Sequence, residues 1–350
     1  MEVINGLRQI SKFEDILVHD SKAPRRSSVA LIIRFPRLPS TTTGSLDDIL
    51  DAAEVLENSG QTSGQSFPQI LFIKRATSKR DRWSNHIALP GGRRDVQDAS
   101  DVDTAIRETW EEVGIDLKSN AVYVGPLDQR LVKVSWATKT IMTLCSHVFV
   151  LTDPEVKLTI QPTEVADAFW HPVSELFKPS YWGREYVHLG KRLGLENSWI
   201  FPRCTHWIIN KLVGDMYFGA IDLWRSDVEA GSPPEKLWGL TLGIIVDLLE
   251  VCQPGSVVSL VEPPQMVHWD TRLVTRLLSV RQTAKSKKLV NEMKNRGSYT
   301  AGSLDIGHKL IHGHFRYLFP SIIVSLVMRL AGLLLLIRYL RSRRIKFTRR

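Results

Sequence analysis

The stretch of the chain best suited to chemistry runs from Gly91 to Ile115, GGRRDVQDASDVDTAIRETWEEVGI. On a helix, its Glu108, Glu111 and Glu112 place three carboxylates within an arc of about 100°. Crowded carboxylates repel one another. A hard divalent cation such as Mg²⁺ relieves that repulsion, takes oxygen donors and shares its shell with substrate phosphates. Just upstream stand Gly91 and Gly92, read as a turn at a strand exit, where bare backbone can approach a ligand or a metal-bound phosphate. An E-x-x-E-E run also suits a plain solvated surface, and the double glycine is what favours metal-assisted phosphate chemistry.

Positioning those carboxylates requires a helix with defined ends. Ser100 or Asp101 suits the N-cap, Asp103 complements the helix dipole, and Gly114 suits a left-handed C-terminal residue. Ile106, Trp110 and Val113 fall opposite the carboxylates and are expected to face the core. Strand-like runs lead in from upstream: Ser28 to Phe35, Gln69 to Lys74, and His86 to Leu89. Pro36 to Ser66 reads as a loop insertion with a short helix over Leu46 to Leu56. Between the second and third strands lies the basic loop RATSKRDRWSN. A charge run is commonly just solvated, but this one abuts the carboxylates. Lys74, Arg75, Arg80 and Arg82 precede the glycines, and Arg93 and Arg94 follow, a lining suited to the oxygens of a diphosphate.

Beyond the helix, Ala121 to Val124 and Ile141 to Leu151 read as strands, the second apolar enough to be buried. Asp128 to Lys139 reads as a loop on the substrate side. Lys178 to Pro234 is aromatic-rich without a simple period, Leu237 to Val251 is a strongly apolar helix, and Met266 to Asn295 has helical spacing with a basic end.

The Gly91 to Ile115 stretch resembles the Nudix box, G-x5-E-x7-R-E-U-x-E-E-x-G-U, where U is aliphatic. Arg107-Glu108, Glu111-Glu112, Gly114 and Ile115 match its second half. The first half departs: Gly92 to Arg107 is one residue longer than the pattern, Asp98 is the best substitute for the first glutamate, and Thr109 stands at an aliphatic position. The lengthened form, the basic stretch before it and Trp238-Gly239-Leu240-Thr241 resemble the coenzyme A pyrophosphatase branch of that family. The resemblance runs from about Ser28 to about Val251. It implies that Glu108, Glu111 and Glu112 bind Mg²⁺ or Mn²⁺, and that Glu108, Glu112 or Glu164 serves as a catalytic carboxylate. Glu164 is either such a group or a plain loop carboxylate. Lys74, Arg75, Arg80, Arg82, Gly91, Gly92 and Arg93 would then bind the substrate phosphates.

The chain has 350 residues, enough for one large or two smaller domains, and a formal net charge of +9 that suits phosphorylated ligands or a membrane surface. No nucleic-acid partner is expected. Cys145, Cys204 and Cys252 are far apart and read as reduced structural thiols. Met1 to Ala23 is broken by charge throughout and is not of signal-peptide type. Tyr317 to Ile337 is long and apolar enough to cross a bilayer and is followed by a basic tail; Arg329 lies inside it, and Pro320 is placed in its first turn. A buried or interfacial helix is the competing reading.

The expected fold class is α/β: a Nudix-like mixed β-sheet sandwiched between helices, with a C-terminal helical segment and a transmembrane helix. The expected layout is an N-terminal extension (1–27), a hydrolase domain (28–252, with an insertion at 178–234), a basic helical segment (253–316), a membrane helix (317–337) and a basic tail (338–350). The expected activity is metal-dependent hydrolysis of a nucleoside diphosphate joined to another moiety, foremost coenzyme A or a derivative. The alternative is a membrane-anchored binding protein that keeps the fold with weak or no catalysis. The anchor would be single-pass, with the enzyme domain in the cytosol and a mitochondrial or peroxisomal membrane as host.

Overall fold

The structure is a computed structural model that describes residues 1–16, 25–38, 44–58, 68–78, 84–133, 140–188, 214–229, 231–304 and 306–347. The chain forms two compact units. One comprises Met1–Arg184, Gly219–Glu262 and Lys288–Leu310; the other comprises Glu185–Phe218, Pro263–Lys287 and Ile311–Arg350.

The first unit is built on β1 (Arg26–Arg34), whose SVALII run has apolar side chains pointing to both faces. Period-2 alternation sends Leu31 and Ile33 to one core and Ala30 and Ile32 to the other. Both sets are fully buried, which is why the run reads as continuously apolar. One edge of β1 pairs in parallel with β6 (Thr140–Leu151). The other edge is shared: β4 (Gly91–Arg93) pairs antiparallel with its first residues, and β2 (Gln69–Arg75) with its last. β2 also pairs with β3 (Ile87–Ala88) and β7 (Val165–Pro172), and β6 with β5 (Ala121–Lys133), giving seven strands among the described residues.

The sheet is a filled sandwich. On one face pack α1 (Glu2–Ile10) and the helix Gly239–Cys252, with Val3, Ile4, Leu7 and Ile10 buried beside Ile245, Leu248 and Leu249. On the other face packs α3 (Asp101–Val113), through Ala105 and Val113. Between α1 and α3 in sequence lies α2 (Leu46–Asn58), with Ile49, Leu50 and Ala53 turned inward. Truncating one of the fully buried β1 isoleucines to alanine would cost about 2–5 kcal/mol.

Several expectations change. Gly91–Arg93 is a short strand and not a turn, because its backbone completes the edge of β1. Asp128 to Lys133 continues β5, and the rest of the expected loop, 134–139, lies outside the described residues. Leu237 and Trp238 end a strand, Glu235–Trp238, and the apolar helix starts at Gly239. Met266 to Asn295 divides into the strand Gln265–Met266 and the helices Trp269–Leu278 and Val280–Lys294.

In the second unit, Gln265–Met266 pairs with Tyr217 and Met216. The long helix Ile306–Phe347 contributes Gly313–Ser342, a segment apolar and long enough to cross a membrane. Pro320 lies well inside this helix, because the helix begins upstream of the apolar stretch. Leu318, Ser321, Ile322 and Ser325 are buried along one side, whereas Leu330 to Leu340 is exposed on every side.

Candidate functional site

Two features fix the helix that carries the carboxylates. Ser100 caps its start, accepting the Asp103 N–H at 3.1 Å, and Gly114 ends it in the left-handed conformation at φ 71°. Of the three residues read from sequence as inward, Val113 is buried and Ile106 packs against the core, but Trp110 does neither. Trp110 is 58% exposed, while Thr104, Ala105, Thr109, Glu112 and Val113 are buried. Thr109 fits there because its hydroxyl donates to the Ala105 carbonyl at 2.7 Å. The carboxylates therefore occupy the margin of the packed face, above β1 and β4.

Glu112 is 2% exposed. Its Oε2 accepts the Gly91 N–H at 2.8 Å, and the Arg75 guanidinium lies 3.9 Å from its Oε1. Burial pushes its pKa up to about 8; the charges of Glu108 and Glu164 add to the rise, while the Gly91 N–H and Arg75 oppose it. Glu108 is also raised, first by burial, then by Glu111 and Glu164, against the pull of Arg107 at 3.0 Å. Glu111 is half-exposed and held by Arg107 at 2.8 Å.

Glu164 stands immediately before β7 and is exposed. Its segment is tied to the end of α3, where Thr159 N–H donates to the Val113 carbonyl and Gln161 N–H to the Glu112 carbonyl. The Glu164 carbonyl in turn accepts the Ala76 N–H at 2.8 Å, beside Arg75.

The glycines serve these carboxylates directly. A Cβ on Gly92 would lie 2.4 Å from Glu108 Oε2. A Cβ on Gly91, whose φ is 149°, would lie 2.2 Å from the Ser28 carbonyl. Any side chain here would expel either the acidic group or the strand.

Asp98, outside the sequence-derived set, organises the cluster from behind. Its two oxygens accept Arg107 Nε at 2.9 Å and Nη2 at 3.0 Å, and it also accepts the Thr104 hydroxyl and the Asp95 N–H. The guanidinium holds the Asp98 carboxyl down at about 2, helped by those other donors against its burial. The signal was present in the sequence, since Gly92-x5-Asp98 keeps the spacing of the box's first acidic position.

The structure thus brings Glu108, Glu112, Glu164, Arg75, Gly91 and Gly92 together, with Glu111 at the rim. Lys74 is turned to Glu235 at 2.6 Å, and the Arg93 side chain is exposed while its carbonyl accepts from Arg107. Arg94 is committed to Asp101 at 3.2 Å. Arg80 and Arg82 lie outside the described residues. Cys145 and Cys252 are buried free thiols, and Cys204 is outside the described residues.

The donor set is all carboxylate oxygen, and two of its members are held in neutral-leaning surroundings that a divalent cation would relieve, so the chemistry fits a hard metal ion. Among the described residues no three such groups yet stand as a formed cage. Arg107 draws Glu108 and Glu111 toward itself.

Residues 53–189 match the family described as NUDIX domain. An uncharacterized protein of Schizosaccharomyces pombe is 30% identical over 339 residues, covering 94% of this chain and 94% of that protein. Solved structures are similar at low identity. The NUDIX domain of Shewanella oneidensis NrtR, crystallised with ADP ribose, is 15% identical, over 45% of this chain and 80% of that one, at a TM-score of 0.29. A C. elegans Ap4A hydrolase is 14% identical, over 43% and 81%, at 0.27. A MutT/nudix family protein from Enterococcus faecalis is 16% identical, over 45% of this chain and 46% of that one, at 0.28. With that match enclosing the whole Arg107 to Ile115 motif, the chain carries a NUDIX domain over residues 53–189, and the Schizosaccharomyces pombe relative runs almost its full length.

Proposed function

We propose that the protein hydrolyses a nucleoside diphosphate linked to another moiety, foremost coenzyme A or a derivative, with Mg²⁺ or Mn²⁺ as cofactor. The observation that carries this reading is the burial of Glu112 and Glu108 beside Glu164, with their pKa values raised, under a glycine pair that admits no side chain. Glu108, Glu111 and Glu112 would hold the cation, which would lower the pKa of water and neutralise charge at phosphorus. Glu108 or Glu164 accepts the proton of the attacking water, with Glu112 the third catalytic carboxylate. The water oxygen bonds to phosphorus, the bridging P–O bond breaks, and the leaving phosphate keeps that electron pair. Arg75 faces the developing charge, and Gly91 and Gly92 leave room for phosphate oxygens against the backbone. Lys74, Arg80, Arg82 and Arg93 complete the phosphate lining in this reading. The catalytic domain spans 28–252.

Gly313–Ser342 is a candidate span, and we read it as a single-pass C-terminal anchor that leaves the catalytic domain in the cytosol, on a mitochondrial or peroxisomal membrane. Full-length protein is then expected to resist alkaline carbonate extraction.

The deciding experiment is a hydrolysis screen of the full chain against coenzyme A, ADP-ribose, dinucleoside polyphosphates and NADH, with and without Mg²⁺ or Mn²⁺. Coenzyme A is expected to yield 4′-phosphopantetheine and 3′,5′-ADP only with metal. Cleavage of another nucleoside diphosphate derivative would move the substrate. Binding without cleavage of any of them would leave a Nudix-fold binding protein, which the substituted first position of the box also suits.

A further inference from the structure

The helix Trp269–Leu278 shows an apolar stripe to the outside of its unit. Trp269, Leu273 and Leu277 recur every fourth residue, and Val280 follows at the start of the next helix; all four are 50–74% exposed. Thr271, Val274 and Thr275 form its buried side. Asp270 fixes that orientation by accepting Arg329 Nε at 2.6 Å and Nη2 at 2.7 Å.

Arg329 lies near the middle of Gly313–Ser342, the segment apolar enough to cross a membrane. An arginine there is costly in hydrocarbon unless it is paired or reaches the headgroups. The pairing with Asp270 partners that charge and also ties the striped helix to the apolar one. Whatever solvent takes up Gly313–Ser342 is therefore presented to Trp269, Leu273 and Leu277 as well.

Charge identifies that solvent further. From Thr271 to Asn291 the sequence has no acidic residue, and Arg276, Arg281 and Lys285 are exposed beside the stripe. Apolar residues flanked by basic ones match an anionic bilayer, the stripe reaching the hydrocarbon beside Arg329 and the basic side chains reaching the headgroups. We propose that the helix Trp269–Leu278 is a second membrane-contacting element, its stripe seated in an anionic lipid surface beside the apolar helix that Asp270 holds. This rests on the reading that Gly313–Ser342 enters a membrane.

The test uses full-length protein in phosphatidylcholine/phosphatidylserine vesicles containing nitroxide-labelled lipid. Bimane is attached in turn at Leu273→Cys and at Leu334→Cys, with the parent protein giving the background from its own cysteines. Loss of at least half the emission at both positions is the expected result. Quenching at 334 but not at 273 would overturn the proposal and leave the anchor intact. No quenching at either position would overturn the membrane reading, and this proposal with it.

Discussion

Asp98 and Arg107 meet through two parallel hydrogen bonds, Nε to Oδ1 at 2.9 Å and Nη2 to Oδ2 at 3.0 Å. The same guanidinium reaches Glu108 and Glu111, so a pair on the margin of the site sets where two of its acidic groups stand. Asp98→Asn is expected to lose about 1–2 kcal/mol in urea unfolding at neutral pH. Its activity should fall less than that of the Glu111 or Glu112 variants, because Asp98 touches Arg107 and not the reacting atoms. The folded pKa is depressed from 3.8 to about 2, so the stabilisation is present above 3.8 and is lost as pH falls through about 2. Acid denaturation compared between wild type and Asp98→Asn checks this.

Glu111→Gln and Glu112→Gln are each expected to abolish turnover while leaving the far-ultraviolet dichroism unchanged. Either variant turning over at the wild-type rate in saturating Mg²⁺ would remove these residues from the metal assignment.

Glu112 also gives the metal-free protein an unusual pH profile. Its folded pKa is raised from 4.5 to about 8, so its contribution is fully present below 4.5 and is lost as pH rises through about 8. Metal-free wild type should therefore lose stability relative to Glu112→Gln across that window, by on the order of 3–5 kcal/mol. Urea midpoints of both proteins in chelator at pH 5 and pH 9 provide the measurement. Parallel curves would show that the Glu112 charge is not buried as described.

The glycines separate two effects. Gly92→Ala should fold and lose activity at least about tenfold, since its Cβ displaces the Glu108 carboxylate. Gly91→Ala meets the backbone of Ser28 at a positive φ and should lower the melting temperature markedly. Kinetics and thermal unfolding on both variants distinguish them.

For substrate choice, Arg75→Ala should raise KM for coenzyme A, with its extra 3′-phosphate, more than for ADP-ribose. Equal effects would restrict Arg75 to the shared diphosphate. Steady-state kinetics on the two substrates decide between these outcomes.

The placement of the acidic residues on one capped helix was legible where spacing alone decides it. Glu108, Glu111 and Glu112 follow from helical period, Gly114 and Ser100 from end-capping, and β1 and β6 from uninterrupted apolar runs. On α3 the apolar pattern places Val113 and Ile106 against the core correctly and Trp110 wrongly, because hydrophobicity alone does not decide burial. Here a helix turns Glu112 and Thr109 inward and leaves Trp110 outside, since the sheet beneath it supplies the Gly91 N–H to Glu112. Asp98 reads from sequence only as a substitute for the first glutamate, because its side chain is shorter and one extra residue separates it from Arg107. In three dimensions Asp98 still reaches Arg107, with an extra residue intervening before the arginine. The Lys74 pairing with Glu235 was not readable, because it joins residues 161 positions apart.

The first helix of the chain carries a consequence for biosynthesis. Gly6 rests against Cys252, and the Gln9 side chain donates to the Tyr299 carbonyl, so α1 completes its packing only after most of the sequence has been made. Until then Val3, Ile4, Leu7 and Ile10 are covered only in part, from the side of α2 and β5. Contacts of such long sequence separation slow folding and prolong the life of sticky intermediates. A chain arrested before residue 239 would therefore be a chaperone client, held by its own opening segment.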